Sequence, residues 1–332
     1  MSTPRPLIIA HRGASGYRPE HTRSAYDLAI AMGADAVEPD IVPTKDGVLV
    51  LRHENEISGT TDIATRQEFG DRRTTKTIDG KKLTGWFTED FSWQELAQLR
   101  SRERLPKVRP SNATFDGLDG ILRLRDLLAL LDAAERPVDL VAEIKHASYF
   151  ESIGLPLDEL FAAEARDAGW HNTGRLTIEA FEESVLHKIR DRGVAGDLVY
   201  LLEASGSPAD LVAGQGKDAT SYASQLTDAG LARLAERVDG ISVNKHLLLH
   251  VDKESNTVGI TNIVDRAHAA GLSVFCWTLR AENQFLSRNL RRGDAAGAFG
   301  DWLGEFQLLM ASGLDGVFAD HPDLAVEARA RL

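Results

Sequence analysis

The sequence predicts a (β/α)8 TIM barrel interrupted by a single long insertion. Three observations predict it. Short apolar runs rich in β-branched residues alternate with helical patterns, which is the rhythm of parallel strands joined by crossover helices. Eight strand and helix pairs recur over 332 residues. A polar stretch too long for an ordinary loop separates the second barrel strand from its helix.

Leu7 to His11 reads as the first strand, followed by a helix over about Thr22 to Met32 with Thr22 as N-cap and Gly33 as stop. Ala36 to Val42 is the second strand, and after the Asp46-Gly47 turn Val48 to His53 alternates as a strand returning from it. A helix over Arg125 to Glu135 leads into the strand Leu140 to Lys145 and the helix Leu157 to Ala168, then the strand Leu176 to Phe181 and the helix Glu183 to Arg192. Further strands are expected at Leu198 to Leu202, Gly240 to Val243, Ser273 to Thr278 and Gly316 to Ala319. Their helices fall near Gly230 to Arg237, Ile263 to Ala270, Trp302 to Ala311 and Asp323 to Arg331. Residues 1–53 and 119–332 would form the barrel, and residues 54–118 a small cap subdomain over its mouth, with a short helix at Phe91 to Arg100.

Composition narrows the functional classes. With 43% hydrophobic and 27% charged residues, the chain has the balance of a globular protein with a sizeable core. The formal net charge of -12 argues against a nucleic-acid binder, whose surface would be basic, and suggests that an anionic small substrate would need local cationic help. Cys276 is the only cysteine, so a disulfide within the chain and a cysteine metal cage are both excluded. No stretch approaches the roughly 18 consecutive apolar residues of a membrane span, and MSTPRPLIIAHRG lacks a leader-like apolar core. The chain as given reads as cytoplasmic, or periplasmic or secreted if a leader has been removed.

In such a barrel the chemistry sits at the C-terminal ends of the strands. His11 and Arg12 end the first strand, Glu38 and Asp40 lie on the second, His53 ends the return strand, Glu143 and Lys145 end the third, and Asp320 ends the last. Residues two apart on a strand share a face, which joins Glu38 to Asp40 and Glu143 to Lys145. Three carboxylates converging in one mouth would repel one another unless bridged, and a hard divalent cation on oxygen ligands, Mg2+ or Ca2+, resolves this. The pair His11 and His53 supplies one general base and one general acid. Arg12 and Lys145 suit a transferring phosphoryl group, and Phe181 and Trp277 could wall the pocket around an alcohol. The Gly13 to Gly16 turn carries no independent weight as a phosphate loop.

The opening HRGASGYRPEHT, the run VEPDIVPTKDGVLVLRHE, the EIK of Glu143 to Lys145, the Trp277 strand and FADHP at Phe318 to Pro322 follow one another in an order that resembles the glycerophosphodiester phosphodiesterases. His21 in the Pro-Glu-x-Thr segment resembles the bacterial periplasmic-type branch, and DGKKLTGWFTEDFSWQEL falls in that family's characteristic insertion. The resemblance covers essentially the whole chain. It implies a capped barrel that hydrolyses glycerophosphodiesters such as glycerophosphocholine or glycerophosphoethanolamine to glycerol 3-phosphate and an alcohol. It also implies metal ligands at Glu38, Asp40 and Glu143, and an acid/base pair at His11 and His53 with His11 as base. One departure is IEAF at Ile178 to Phe181, where the family more usually has Gln-Ser-Phe.

Attack by the substrate's own 2-hydroxyl through a cyclic phosphate, and direct attack by water, both fit these residues. A lysophospholipase D or sphingomyelinase D-like activity would require an apolar groove that the polar insertion does not suggest. A non-catalytic phosphodiester-binding protein would have no use for both histidines and all three carboxylates.

Overall fold

The computed structural model describes residues 5–332, so the first four residues of the segment read for a leader lie outside the described part. The strands are β1 (Leu7–His11), β2 (Ala36–Glu38), β3 (Asp40–Pro43), β4 (Leu49–Leu51), β5 (Thr74–Ile78), β6 (Lys81–Gly85), β7 (Asp139–Ile144), β8 (Leu176–Ala180), β9 (Asp197–Leu202), β10 (Gly240–Asn244), β11 (Leu249–Val251), β12 (Thr257–Ile260), β13 (Ser273–Leu279) and β14 (Gly316–Ala319). The main sheet runs β2-β1-β14-β13-β10-β9-β8-β7-β3-β4 and closes through a β2–β7 pairing. Pro39 interrupts a single barrel strand into β2 and β3, and β4 is an antiparallel appendage of β3, so the closed ring has eight parallel strands. The expected barrel is the observed one.

Each crossover helix packs an apolar stripe outside this ring. In Leu124–Asp132 the buried positions Leu124, Leu127, Leu128 and Leu131 follow the helical spacing that lines one face. The first helix, Arg23–Ala31, starts where Thr22 accepts from the Ala25 amide, satisfying one of the donors that a helix start leaves free.

Inside the ring a second, smaller apolar cluster forms a floor from Ile9, Ala36, Val141, Val199, Phe275 and Phe318. Burying such side chains stabilises by roughly 1.5–3 kcal/mol for each of the larger ones. Because strand side chains alternate, the residue two positions further along each strand also points inward, one layer higher. Five of those residues are His11, Glu38, Glu143, Trp277 and Asp320. The floor therefore fixes where the polar layer stands.

Several expectations needed correction. The strand expected from Ala36 to Val42 breaks at Pro39, which lacks a ladder donor. The return strand is only Leu49–Leu51, so Arg52 and His53 lie beyond it. The helix expected over Phe91 to Arg100 shrinks to Trp93–Leu96, held by a Ser92/Glu95 capping box. The hairpins β5–β6 and β11–β12 and the helix Ala147–Ser152 were not expected; β5, TTKTI, is largely exposed and carries little apolar alternation. Residues 54–118 contain the β5–β6 hairpin, the Trp93–Leu96 helix and several 3-10 turns, and their Ile57, Ile63, Phe91 and Leu96 join the core that also packs the barrel helices. Among the described residues no helix is long and apolar enough to cross a membrane.

The turn after β1 needs a special backbone. Arg12 and Gly13 both have positive φ, 61° and 81°, and a Cβ on Gly13 would lie 2.7 Å from the Ala25 carbonyl carbon. Gly13→Ala should therefore destabilise the fold by about 1–3 kcal/mol, read as a lower midpoint in urea unfolding at unchanged slope. A stability equal to that of the unsubstituted protein would contradict this tight approach.

Candidate active site

The structure brings every predicted site residue to one end of the barrel. The Cα register pairs His11 with Glu38, Asp40 with Glu143, and Glu143 with Glu179. Glu38, Asp40 and Glu143 each offer a carboxylate oxygen, and these lie within 4.8 Å of one another. Oxygens bound to one hard cation at about 2.0–2.6 Å sit at most roughly 5 Å apart, so this spacing fits a single divalent ion. Glu38 Oε1 is buried without a hydrogen-bond partner among the described residues, as a free ligand atom would be.

Glu179 is the residue that sequence reasoning left without a role. It is 1% exposed, faces Glu143 from β8, and has Oε2 buried without a partner. Its signal was the departure from the Gln-Ser-Phe pattern. Four buried carboxylates, Glu38, Asp40, Glu143 and Glu179, thus share the layer with two buried cationic side chains, Arg12 and Lys145. The formal shortfall is two positive charges, which one divalent ion would close.

Both cations engage the carboxylates. Arg12 Nε lies 3.0 Å from Asp40 Oδ2, and its backbone amide donates to Glu38 Oε2 at 2.9 Å. The left-handed turn at Arg12 aims this amide and the guanidinium into the cluster. Lys145 Nζ is 2.6 Å from Glu143 Oε1 and 3.0 Å from Asp40 Oδ1. His21, fully buried and also in a left-handed backbone conformation, fixes Asp40 Oδ2 at 2.8 Å while its other ring nitrogen meets the Tyr26 hydroxyl at 2.9 Å. Sequence reasoning used His21 only as part of a motif; its supporting role depends on contacts that no spacing reveals.

Electrostatics splits the carboxylates. Burial would raise Asp40, but Lys145 and Arg12 hold it well below the usual carboxylate range. Burial, with Asp40 beside it, pushes Glu38 well above that range, and burial with Glu143 and Asp40 does the same to Glu179. Glu143 rises to about 8: burial raises it, Lys145 opposes and Asp40 reinforces.

The histidines flank this cluster. His11 Nδ1 is 2.6 Å from Asp320 Oδ1, and burial with the Arg12 charge lowers its pKa to about 4 against the pull of Asp320. His53 Nδ1 meets Glu54 Oε1 at 2.5 Å, and burial together with Arg12 and Lys145 lowers it to about 3. Both rings are neutral at pH 7 and able to accept a proton. Phe181 lies one residue past β8, its ring centroid 5.7 Å from that of Trp277 in a T-shaped contact and 5.8 Å from Lys145 Nζ. The aromatic pair thus stands beside the basic edge of the site.

Comparison with known proteins identifies the family and the fold. Residues 11–324 match the model of the Glycerophosphoryl diester phosphodiesterase family. The chain is 31% identical over 330 residues to the glycerophosphodiester phosphodiesterase GDPD6 of Arabidopsis thaliana, covering 96% of this chain and 85% of that protein. It is 25% identical over 348 residues to a glycerophosphodiester phosphodiesterase of Haemophilus influenzae, covering 97% of this chain and 89% of that one. Among solved structures, a phosphodiesterase of Oleispira antarctica in complex with the product sn-glycerol-3-phosphate superposes with a TM-score of 0.63 at 20% identity, covering 98% and 96% of the two chains. A glycerophosphodiester phosphodiesterase of Agrobacterium tumefaciens does so with 0.60 at 17% identity, covering 97% and 99%.

The raised carboxyls would make binding of a cation at this cluster depend on pH. Near pH 7 Glu143, with a pKa of about 8, is mostly protonated in the cation-free protein, and a ligand carboxylate must lose its proton to bind. Mg2+ or Ca2+ titration should therefore release protons at about pH 7 and fewer at about pH 9, where Glu143 is already ionised. Calorimetry in buffers of different ionisation enthalpy reads this directly, and an equal release at both pH values would contradict the assignment.

Proposed function

Since the chain belongs to the glycerophosphoryl diester phosphodiesterase family, we propose that it hydrolyses glycerophosphodiesters, glycerophosphocholine and glycerophosphoethanolamine among them, to glycerol 3-phosphate and an alcohol, with His11 and His53 as the acid/base pair and a divalent cation on Glu38, Asp40 and Glu143. The observation that carries this reading is the placement of two neutral histidines beside four buried carboxylates, Glu38, Asp40, Glu143 and Glu179, whose formal charge is only half compensated by Arg12 and Lys145. The complex of the Oleispira antarctica phosphodiesterase with sn-glycerol-3-phosphate supports the product class.

A cation held there, Mg2+ or Ca2+, would neutralise phosphate charge and polarise the oxygens it contacts. The remaining chemistry belongs to the side chains. Arg12 and Lys145 hold the diester and take up charge that develops on its oxygens. One histidine, His11 in this reading, removes a proton from the attacking hydroxyl, either the glycerol 2-hydroxyl or water. His53 returns a proton to the leaving alcohol oxygen; as a neutral ring in the free protein, it gains that proton once the anionic diester is bound and offsets the nearby Arg12 and Lys145 charges. Phe181 and Trp277 wall the alcohol side. Residues 54–118 act as a cap on the barrel of residues 1–53 and 119–332, a reading supported by the insertion's Arg109, which hydrogen-bonds Asp320 at the end of β14.

Glycerol 3-phosphate should be released from glycerophosphocholine, with little turnover of lysophosphatidylcholine assayed beside it. EDTA should abolish this activity and Mg2+ or Ca2+ restore it; full activity in chelator excludes the metal role. His11→Ala and His53→Ala should each lower kcat by at least roughly a hundredfold in folded protein, and a fully active variant would remove that residue from the chemistry.

A further inference from the structure

We infer that the insertion builds a positioning device for both histidines, in which Arg104 and Arg109 each lock the carboxylate that holds one imidazole by its Nδ1. The inference rests on the acid/base reading of His11 and His53 and adds to it the groups that set their orientation and tautomer.

The two arrangements are parallel. His11 Nδ1 contacts Asp320 Oδ1 at 2.6 Å, and Asp320 Oδ2 accepts from Arg109 Nη2 at 2.6 Å and from Arg280 Nε at 2.7 Å. His53 Nδ1 contacts Glu54 Oε1 at 2.5 Å, and Glu54 accepts from Arg104 Nη1 at 3.0 Å and Nη2 at 2.7 Å. An ionised carboxylate only accepts hydrogen bonds, so each ring must carry its proton on Nδ1, leaving Nε2 free for the substrate.

The arginines are themselves held. Arg109 is buried and spans further to Glu282 Oε1 at 2.6 Å and to the Ser15 carbonyl at 3.0 Å, on the loop that carries Arg12. Arg104 bridges Glu54 to the buried Glu20 through Nε at 2.8 Å and Nη2 at 2.6 Å, and Glu20 in turn accepts from Arg12 at 3.2 Å. Between the two arginines the chain turns tightly, with the Arg109 amide donating to the Leu105 carbonyl at 2.8 Å. One short turn of the insertion therefore reaches both halves of the acid/base pair. The planar fork of arginine suits this task, because it fixes a carboxylate in direction as well as in charge.

The test uses the full chain, with its histidine rings labelled with 15N, and reads ring tautomers by NMR beside steady-state kinetics on glycerophosphocholine. Arg109→Met should leave His11 in a mixture of tautomers and lower kcat by roughly tenfold to a hundredfold, with KM changed by less than about threefold. Arg104→Met should do the same to His53 and leave His11 unchanged. Arg104→Lys should recover only part of the loss, since it restores the charge without the fork. If Arg109→Met does not fold, Asp320→Asn keeps the shape of the pair while letting the amide offer a donor to Nδ1, and His11 should then switch its proton to Nε2 with a loss of kcat. Unchanged tautomers and kcat in folded Arg104→Met and Arg109→Met would reduce both residues to structural braces and overturn the inference. The tautomer spectra do not depend on turnover, so an error in the acid/base assignment, which shows as an active His11→Ala or His53→Ala, is distinguishable from an error in the positioning role.

Discussion

Everything in the mouth of this barrel answers to one electrostatic constraint: four carboxylates stand in a single inward-facing layer, each less than a tenth exposed. Like charges at such separations in a low-dielectric setting cannot all ionise without compensation. The compensation is built from three sides. Arg12 enters from the loop after β1, Lys145 from the end of β7, and His21 from the start of the first helix. These groups converge on Asp40, which is why Asp40 remains ionised while its neighbours Glu38, Glu143 and Glu179 are driven toward their protonated forms. Carboxylate oxygens gathered this closely are the ligand type of a compact, hard cation, which would have to displace the protons that the raised groups carry.

The constraint reaches into the backbone. Arg12 can present both its amide and its guanidinium to the cluster only because the chain takes a left-handed turn there, and the following Gly13 sits so close to Ala25 that no side chain would fit. Local strain of this kind persists where surrounding contacts over-determine it. Here those contacts are the Arg12 amide bonded to Glu38, the His21 amide bonded to the Arg12 carbonyl, and the helix cap at Thr22. Below, the apolar floor of Ile9, Phe275 and Phe318 gives the layer a fixed height, so that the polar residues two positions further on meet at one level.

Much of this was legible in the sequence. Strand and helix alternation identified the barrel, and the rule that chemistry gathers at the C-terminal strand ends selected His11, Glu38, Asp40, Glu143 and Lys145, which the structure does bring together. Period-two reasoning gave the shared face of Glu143 and Lys145 but concealed the break at Pro39, because hydrophobic pattern reports burial and not ladder hydrogen bonds. What escaped were partners distant in the chain. Asp320 lies 309 positions from the histidine it holds, and Arg109 lies 211 positions from Asp320. No periodicity encodes such pairs. The β5–β6 hairpin escaped for a different reason: its exposed, lysine- and threonine-rich strands bury almost nothing and so carry no alternation to read.

The ion pairs at the mouth are poor candidates for stabilising the fold, since burying a charge pair costs in desolvation about as much as it returns. Their value must lie in orientation. An imidazole whose Nδ1 faces an ionised carboxylate has one preferred tautomer, but the carboxylate itself stays ionised in a buried setting only if a cation stands behind it. For Asp320 burial would raise the pKa, and Arg280 and Arg109 keep it well below the usual range. Arg280 comes from the barrel loop after β13, whereas Arg109 comes from the insertion, as does Arg104 behind Glu54. This outer tier of charge is thus supplied partly by a loop of the ring and partly from outside it. The long insertion after the second strand contributes two of the arginines that stand behind the carboxylates holding the histidine rings.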